Sequence, residues 1–333
     1  SRPDIAVLLI TQTVAAMIRH LVDGFTKPFP AGVPHTPRKY VLPHALARRA
    51  PACISALRPG RASCSRGRVR PILFTRPSGK DAMRILFVSS NRIGDAVLSS
   101  GVLAALYDRY PDARFTIAAG AASAPLFEDF PGLERLIVFQ KRRSRGLHWF
   151  QLWKQTAFTW WPIVVDMRRS AIGWIVPRHR LYRVPKADGP IHRVALAGAA
   201  IGRALDPPAP KLWVSDDRAD RARDVIGDGP VIAIGPTANW QGKIWPVDRF
   251  IDLVGRLLDD KGPIPGARIA VIAAPSERAL AEPVLQSIPP DRRIALMDMA
   301  LPDIVAALKQ CSAYIGNDSG LMHIAAAAGT PTL

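Results

Sequence analysis

Ala313-Tyr314-Ile315-Gly316-Asn317-Asp318-Ser319-Gly320-Leu321-Met322-His323-Ile324-Ala325-Ala326-Ala327-Ala328 reads as a short apolar strand, a polar turn and a helix of small residues. The pattern predicts a strand over 313–316 and a helix over 319–328. A helix that opens directly at a strand's carboxyl end presents unpaired backbone N–H groups, which favour an anion such as a diphosphate. Gly320 and Ala325–Ala328 let a ligand or the sheet come close. Taken singly, His323 is more simply a satisfied core histidine. The whole string is far more specific than its parts.

The same unit recurs upstream. Strands are predicted at 85–89, 114–118, 136–139 and 162–166, with a turn at 91–95 and helices at 96–110 and 192–205. A connector with Pro207, Pro208 and Pro210 leads to 212–214, and the pattern restarts. Its second run has strands at 231–235 and 268–273, and helices at 247–260, 277–285 and 302–311. Short strands alternating with helices predict parallel sheets covered on both faces. The expected architecture is α/β: two doubly wound halves, 83–210 and 211–333, with a cleft between them. Ligands in such sheets bind beyond the carboxyl ends of the strands. Thr332-Leu333 reads as the start of another buried strand, so the second half is expected to be incomplete at residue 333.

Residues 1–82 have a different character. They hold prolines from Pro3 to Pro77 and many arginines, and only 5–22 keeps helical periodicity. Met83 opens Met-Arg-Ile-Leu-Phe-Val-Ser-Ser, so it reads as the natural start. The preceding stretch is then either upstream sequence read in frame or a disordered extension; a basic arm is the alternative. The chain's formal charge is +18, and this stretch supplies 14 Lys and Arg against three Asp and no Glu, or +11. A basic balance points to nucleic acid, an anionic membrane or an acidic substrate. No zinc spacing or aromatic RNA-binding motif backs nucleic acid, which rests on charge alone. No apolar run reaches the ~18 residues of a membrane span. The three cysteines form no disulfide framework, and a reduced compartment is the natural reading.

Two more constellations follow strands. Arg92-Ile93-Gly94-Asp95 puts a glycine where the backbone must turn and a carboxylate at a helix start. An N-capping Asp is common in any such unit. Pro236-Thr237 and Lys243-Ile244-Trp245-Pro246 offer a hydroxyl and a mobile cation suited to phosphate oxygens, or an ordinary exposed loop. The spacing is not that of a P-loop.

Together these motifs, in this order across two α/β halves, resemble glycosyltransferase family 9, the ADP-heptose:lipopolysaccharide heptosyltransferases. The carrying residues are Arg92–Leu98, Lys243–Pro246 and Asn317–Ala325, and the resemblance extends from Met83 to Leu333. It implies a GT-B fold of two Rossmann-like domains and an inverting transferase; no Asp-x-Asp-like pair stands beside a phosphate loop, so no metal or other cofactor is expected. Its donor substrate is a nucleotide sugar, ADP-heptose. It implies Asp95 as the catalytic base. Lys243, Thr237, Asp318, Ser319, Gly320 and His323 fall on the donor site. By spacing, Glu277 matches a carboxylate on the ribose and Met299 an adenine contact. Arg92, Gly94, Arg168 and Arg169 fall on the acceptor side.

The acceptor expected from the resemblance is an anionic glycolipid of the lipopolysaccharide core. The basic run Lys141–Arg145, with Trp149, Trp153, Trp160 and Trp161 and the arginines from Arg168 to Arg183, suits such a substrate at a membrane surface, or a plain solvated face. The expected setting is a cytoplasmic monomer touching the inner membrane peripherally, without specific nucleic acid. A related GT-B transferase using another nucleotide sugar is the alternative.

Overall fold

The computed structural model describes residues 83–139, 147–187, 189–259 and 261–333. The predicted helix at 5–22, the whole 1–82 extension and the Lys141–Arg145 run lie outside these residues.

Two parallel sheets carry the structure. The first holds β1 (Arg84–Val88), β2 (Arg114–Gly120), β3 (Leu133–Phe139), β4 (Trp161–Asp166) and β5 (Arg178–Arg183), in the order β3-β2-β1-β4-β5. The second holds β6 (Val231–Gly235), β7 (Arg268–Val271), β8 (Arg293–Ala295) and β9 (Ala313–Gly316), in the order β8-β7-β6-β9. Every ladder is parallel. Strands buried on both faces need continuous apolar runs, and β1 and β6 supply them as Ile-Leu-Phe-Val and Val-Ile-Ala-Ile.

Helices α1 (Ile93–Arg109), α2 (Leu147–Thr156), α3 (Ile172–Ile175) and α4 (Arg193–Ala199) accompany the first sheet. Beyond α5 (Asp216–Ile226), α6 (Val247–Leu258), α7 (Arg278–Gln286), α8 (Leu301–Gln310) and α9 (Gly320–Ala328) accompany the second. The helix predicted at 192–205 is shorter than expected. It ends at Ala199, and Gly202 at φ 79° turns the chain away.

One apolar cluster runs through both halves, taking Phe87, Val97 and Phe115 from the first and Ala233, Tyr314 and Ile324 from the second. Further apolar clusters cover the other face of each sheet. In each sheet the strand order reverses beside the strand that comes first in sequence, between β1 and β4 and between β6 and β9. The crevices at these two switch points are where a ligand is expected. Asp95 follows β1, Thr237 and Lys243 follow β6, and Asp318 to His323 follow β9.

Candidate active site

Three chain segments meet at the switch points. Asp95 sits in the first turn of α1, half-buried, and forms no hydrogen bond or ion pair among the described residues. Facing it is the start of α9. The two helix ends touch closely: a Cβ on Gly94 would lie 2.8 Å from the His323 ring, and one on Gly320 would lie 3.0 Å from Ile93. Both contacts are tighter than a side chain tolerates easily, so the glycines allow the two helix starts to adjoin. The start of α9, with its free backbone N–H groups, therefore adjoins the Asp95 carboxylate.

Lys243, in a 3-10 turn at Gln241–Lys243, places Nζ 2.6 Å from Asp318 Oδ2. Both side chains are partly exposed. His323 Nε2 lies 4.0 Å from Asp318 Oδ1. Burial lowers the His323 pKa below its ordinary value; Asp318 and Asp95 oppose the shift, and Lys243 and His192 add to it. The imidazole is thereby biased toward its neutral form. The loop before α9 is tied to β6 and the lysine loop, with Asn317 N donating to Gly235 O and Asn317 Oδ1 accepting from Trp245 N at 2.9 Å.

Thr237 is buried and donates its hydroxyl to Glu277 Oε2 at 2.6 Å. Its hydroxyl is thus committed to orienting the Glu277 carboxylate. Met299 lies between β8 and α8, on the far side of the same opening. Arg92, Gly94, Asp95, Thr237, Lys243, Glu277, Met299, Asp318, Ser319, Gly320 and His323 all line one cavity of about 610 Å³.

A second, smaller cavity of about 230 Å³ opens on the other side of Asp95, lined by Ser90, Asp95, Met167, Arg168 and Arg193 among others. Arg168 donates to Asn91 Oδ1 at 3.0 Å and lies over the Phe139 and Trp149 rings at 5.0 and 4.8 Å. Its pKa is lowered by burial, with Asp166 opposing. The loop carrying it is anchored by Asp166, which is fully buried and accepts from Arg168 N and Ser170 Oγ. Arg169 follows at φ 56°, exposed, and borders neither cavity. Sequence reasoning did not single out Arg193 or Asn91. Arg193 opens a helix whose start alone gives no hint of a ligand, and Asn91 is an ordinary turn residue.

The model of glycosyltransferase family 9 (heptosyltransferase) matches residues 166–333. The chain belongs to glycosyltransferase family 9. Among curated relatives, lipooligosaccharide heptosyltransferase 2 of Haemophilus influenzae is 24% identical over 290 residues, covering 75% of this chain and 82% of that protein. Lipopolysaccharide heptosyltransferase 2 of Salmonella typhimurium is 23% identical over 295 residues, covering 75% and 81%. Among solved structures, a glycosyl transferase family 9 protein of Veillonella parvula superposes with a TM-score of 0.62 at 20% identity, covering 76% of this chain and 82% of that one. The E. coli ADP-heptose heptosyltransferase II superposes at 0.59 and 20%, covering 75% and 83%. The family 9 fold is GT-B, with two Rossmann-like sheets facing a cleft, and the chain is a heptosyltransferase-like glycosyltransferase. Among its described residues, no helix is long and apolar enough to cross a membrane, and no group of three or more His, Cys, Asp or Glu side chains is arranged to hold a metal ion.

Proposed function

We propose that this enzyme transfers heptose from ADP-heptose to a lipopolysaccharide-core acceptor with inversion, Asp95 acting as the base. The observation that carries the reading is the position of Asp95 in the wall shared by the two cavities. The larger takes the nucleotide sugar and the smaller the acceptor. Residues 83–210 present the acceptor and 211–333 the donor.

The chemistry follows from these positions. The acceptor hydroxyl attacks the anomeric carbon while its proton passes to the Asp95 carboxylate. The bond between that carbon and the diphosphate oxygen breaks, and ADP leaves with the electron pair. A single displacement inverts the centre. Negative charge grows on the departing diphosphate, where Lys243 and the N–H groups at Ser319-Gly320 stabilise it as preorganised donors. Glu277, held by Thr237, is placed for the ribose hydroxyls and Met299 for the adenine. Asp318 and His323 complete the donor side, and no metal is required. Arg168 and Arg193, in the smaller cavity, suit an anionic acceptor, while Arg92 borders the larger cavity beside Asp95 and Arg169 lies outside both. The enzyme works as a monomer on the cytoplasmic face of the inner membrane, which it touches peripherally.

Replacing Asp95 by Asn keeps shape and removes the base. We expect kcat to fall by roughly 10²- to 10⁴-fold while ADP still binds as in the wild type. Near-normal turnover with nucleotide bound would remove Asp95 from this role. Running the same assay with UDP-sugars decides between ADP-heptose and another nucleotide sugar.

A further inference from the structure

The last residues of β6 and β9, Gly235 and Gly316, are register partners at the carboxyl end of the second sheet. Tyr314, two residues earlier on β9, is fully buried, and its hydroxyl lies over this pair. A Cβ built on Gly235 would stand 2.0 Å from Tyr314 Oη, and one on Gly316 would stand 2.6 Å from it. No side chain fits at either position while the phenol is there. The space that two glycines vacate is filled by one hydroxyl.

That hydroxyl has no structural use in this arrangement. Neither Tyr314 Oη nor Ser319 Oγ makes a hydrogen bond of ordinary geometry among the described residues, and both atoms are buried. Leaving a buried hydroxyl unmet is costly, and a phenylalanine would remove that cost while leaving open the space the hydroxyl fills, so for stability the two effects offset. The Ser319 hydroxyl is near enough to act on the phenol, and Ser319 itself lines the large cavity as N-cap of α9 without making the usual capping bond. Two adjacent buried hydroxyls thus lie just behind the wall of the proposed donor site, where a rotation of Ser319 about χ1 turns its hydroxyl into the cavity. A pair of this kind is satisfied when a third oxygen arrives and completes the chain.

We propose that Tyr314 is a positioning residue for the nucleotide-sugar donor: its Oη–H donates to Ser319 Oγ, which fixes the Ser319 O–H on a donor phosphate oxygen. Burial raises the phenol's pKa far above its ordinary value, with Ser319 opposing, so Tyr314 keeps its proton at neutral pH and remains a donor. The paired glycines exist, on this view, to admit the hydroxyl. The inference rests on the donor reading of the large cavity.

The test uses the full chain with Tyr314→Phe, Ser319→Ala and the double variant. ADP affinity is measured by calorimetry, KM is measured separately for donor and acceptor, and thermal midpoints are recorded. Tyr314→Phe should weaken ADP about 3- to 10-fold, a factor of the size expected for one hydrogen bond, and raise donor KM in parallel. Its acceptor KM and thermal midpoint should stay at wild-type values, which a merely structural tyrosine would not show. The double variant should be no weaker for ADP than Ser319→Ala alone, because the two hydroxyls act as one chain. Wild-type ADP affinity in Tyr314→Phe, or losses that multiply in the double variant, would overturn the proposal. If Ser319→Ala weakens ADP and Tyr314→Phe does not, only the role of Tyr314 fails. If the wild type binds no ADP, the donor reading fails and this inference with it.

Discussion

At the scale of single residues, His323 shows how the site sets its own charge. The ring is packed against Gly94, with Asp318, Lys243, Asp95 and His192 around it. Burial dominates and depresses its pKa. A base whose folded pKa is depressed resists protonation more than the unfolded chain does. Its contribution to stability is therefore intact above the unfolded value of about 6.5 and is lost as pH falls through the lower folded value. The expected outcome is a fall in the urea midpoint between pH 7 and pH 5 that is smaller in His323→Gln. Equal falls in the two proteins would show that His323 does not drive the acid sensitivity.

At the scale of elements, α5 joins parts distant in sequence. Arg218 on this helix bonds Glu128 and Asp129, which follow the 3-10 turn after β2, and Asp303 on α8, at 2.9, 3.2 and 2.8 Å. Asp129 also accepts from Ser215 N at the helix start. Removing the guanidinium takes away the cation that Glu128, Asp129 and Asp303 share and leaves Asp303 with Arg221 alone, at 3.5 Å. Arg218→Ala should cost about 1–3 kcal/mol, read as a lower urea midpoint, and the gap to wild type should narrow in 1 M salt. A gap that does not change with salt would point to lost packing instead.

The same elements show what the sequence could reveal. Strands β6 and β9 are buried on both faces, so their apolar runs gave the correct limits, 231–235 and 313–316. Edge strands β5 and β8, Arg178–Arg183 and Arg293–Ala295, escaped notice because an edge needs no apolar run and arginines protect it. Helix α5 escaped for a related reason: it buries only Ala222 and Ile226 and is otherwise charged. Helix α2 was hidden among tryptophans and lysines that read as a basic surface. In the site, the residues after β1, β6 and β9 were legible because a strand's carboxyl end is where ligands bind. Arg193 and Tyr314 were not. The first gains meaning only when Asp95 is placed beside it, and the second only when Gly235 and Gly316 are seen to make room for it.

For the whole molecule, charge is distributed unevenly. Residues 83–333 carry a net +7, yet 140–187 alone hold eleven Lys and Arg against the single Asp166, so the rest of this part is net acidic. Asp166 is buried and lies 3.8 Å from Arg183 Nε, so it offsets one of these eleven cations. Among the described residues, large apolar side chains are exposed in the same region: Phe158 at 88%, Trp160 at 61% and Trp174 at 59%. Arg178 and Arg183 each lie 5.5 Å from the Trp174 ring, and Arg178 is the register partner of Trp161, next to Trp160. Exposed indoles among arginines suit the headgroup layer of an anionic bilayer. Sedimentation with vesicles of neutral lipid, and with vesicles containing about one-third anionic lipid, tests this contact. Wild type should bind the anionic vesicles more tightly, and Trp160→Ser with Trp174→Ser should lose at least half of that preference. An unchanged preference, or none in the wild type, would overturn a membrane role for this surface.

The Lys243–Asp318 pair has a consequence for how the donor is captured. Both partners are partly exposed, so their bond is worth little, ~0–1 kcal/mol. On the proposed donor reading, an arriving diphosphate competes for a lysine already engaged, and Asp318 gives way as the phosphate takes its place. Donor affinity would then be the difference between two ionic contacts rather than the whole of one, with ionic strength weakening both sides of the exchange, and the returning carboxylate would help the spent nucleotide leave.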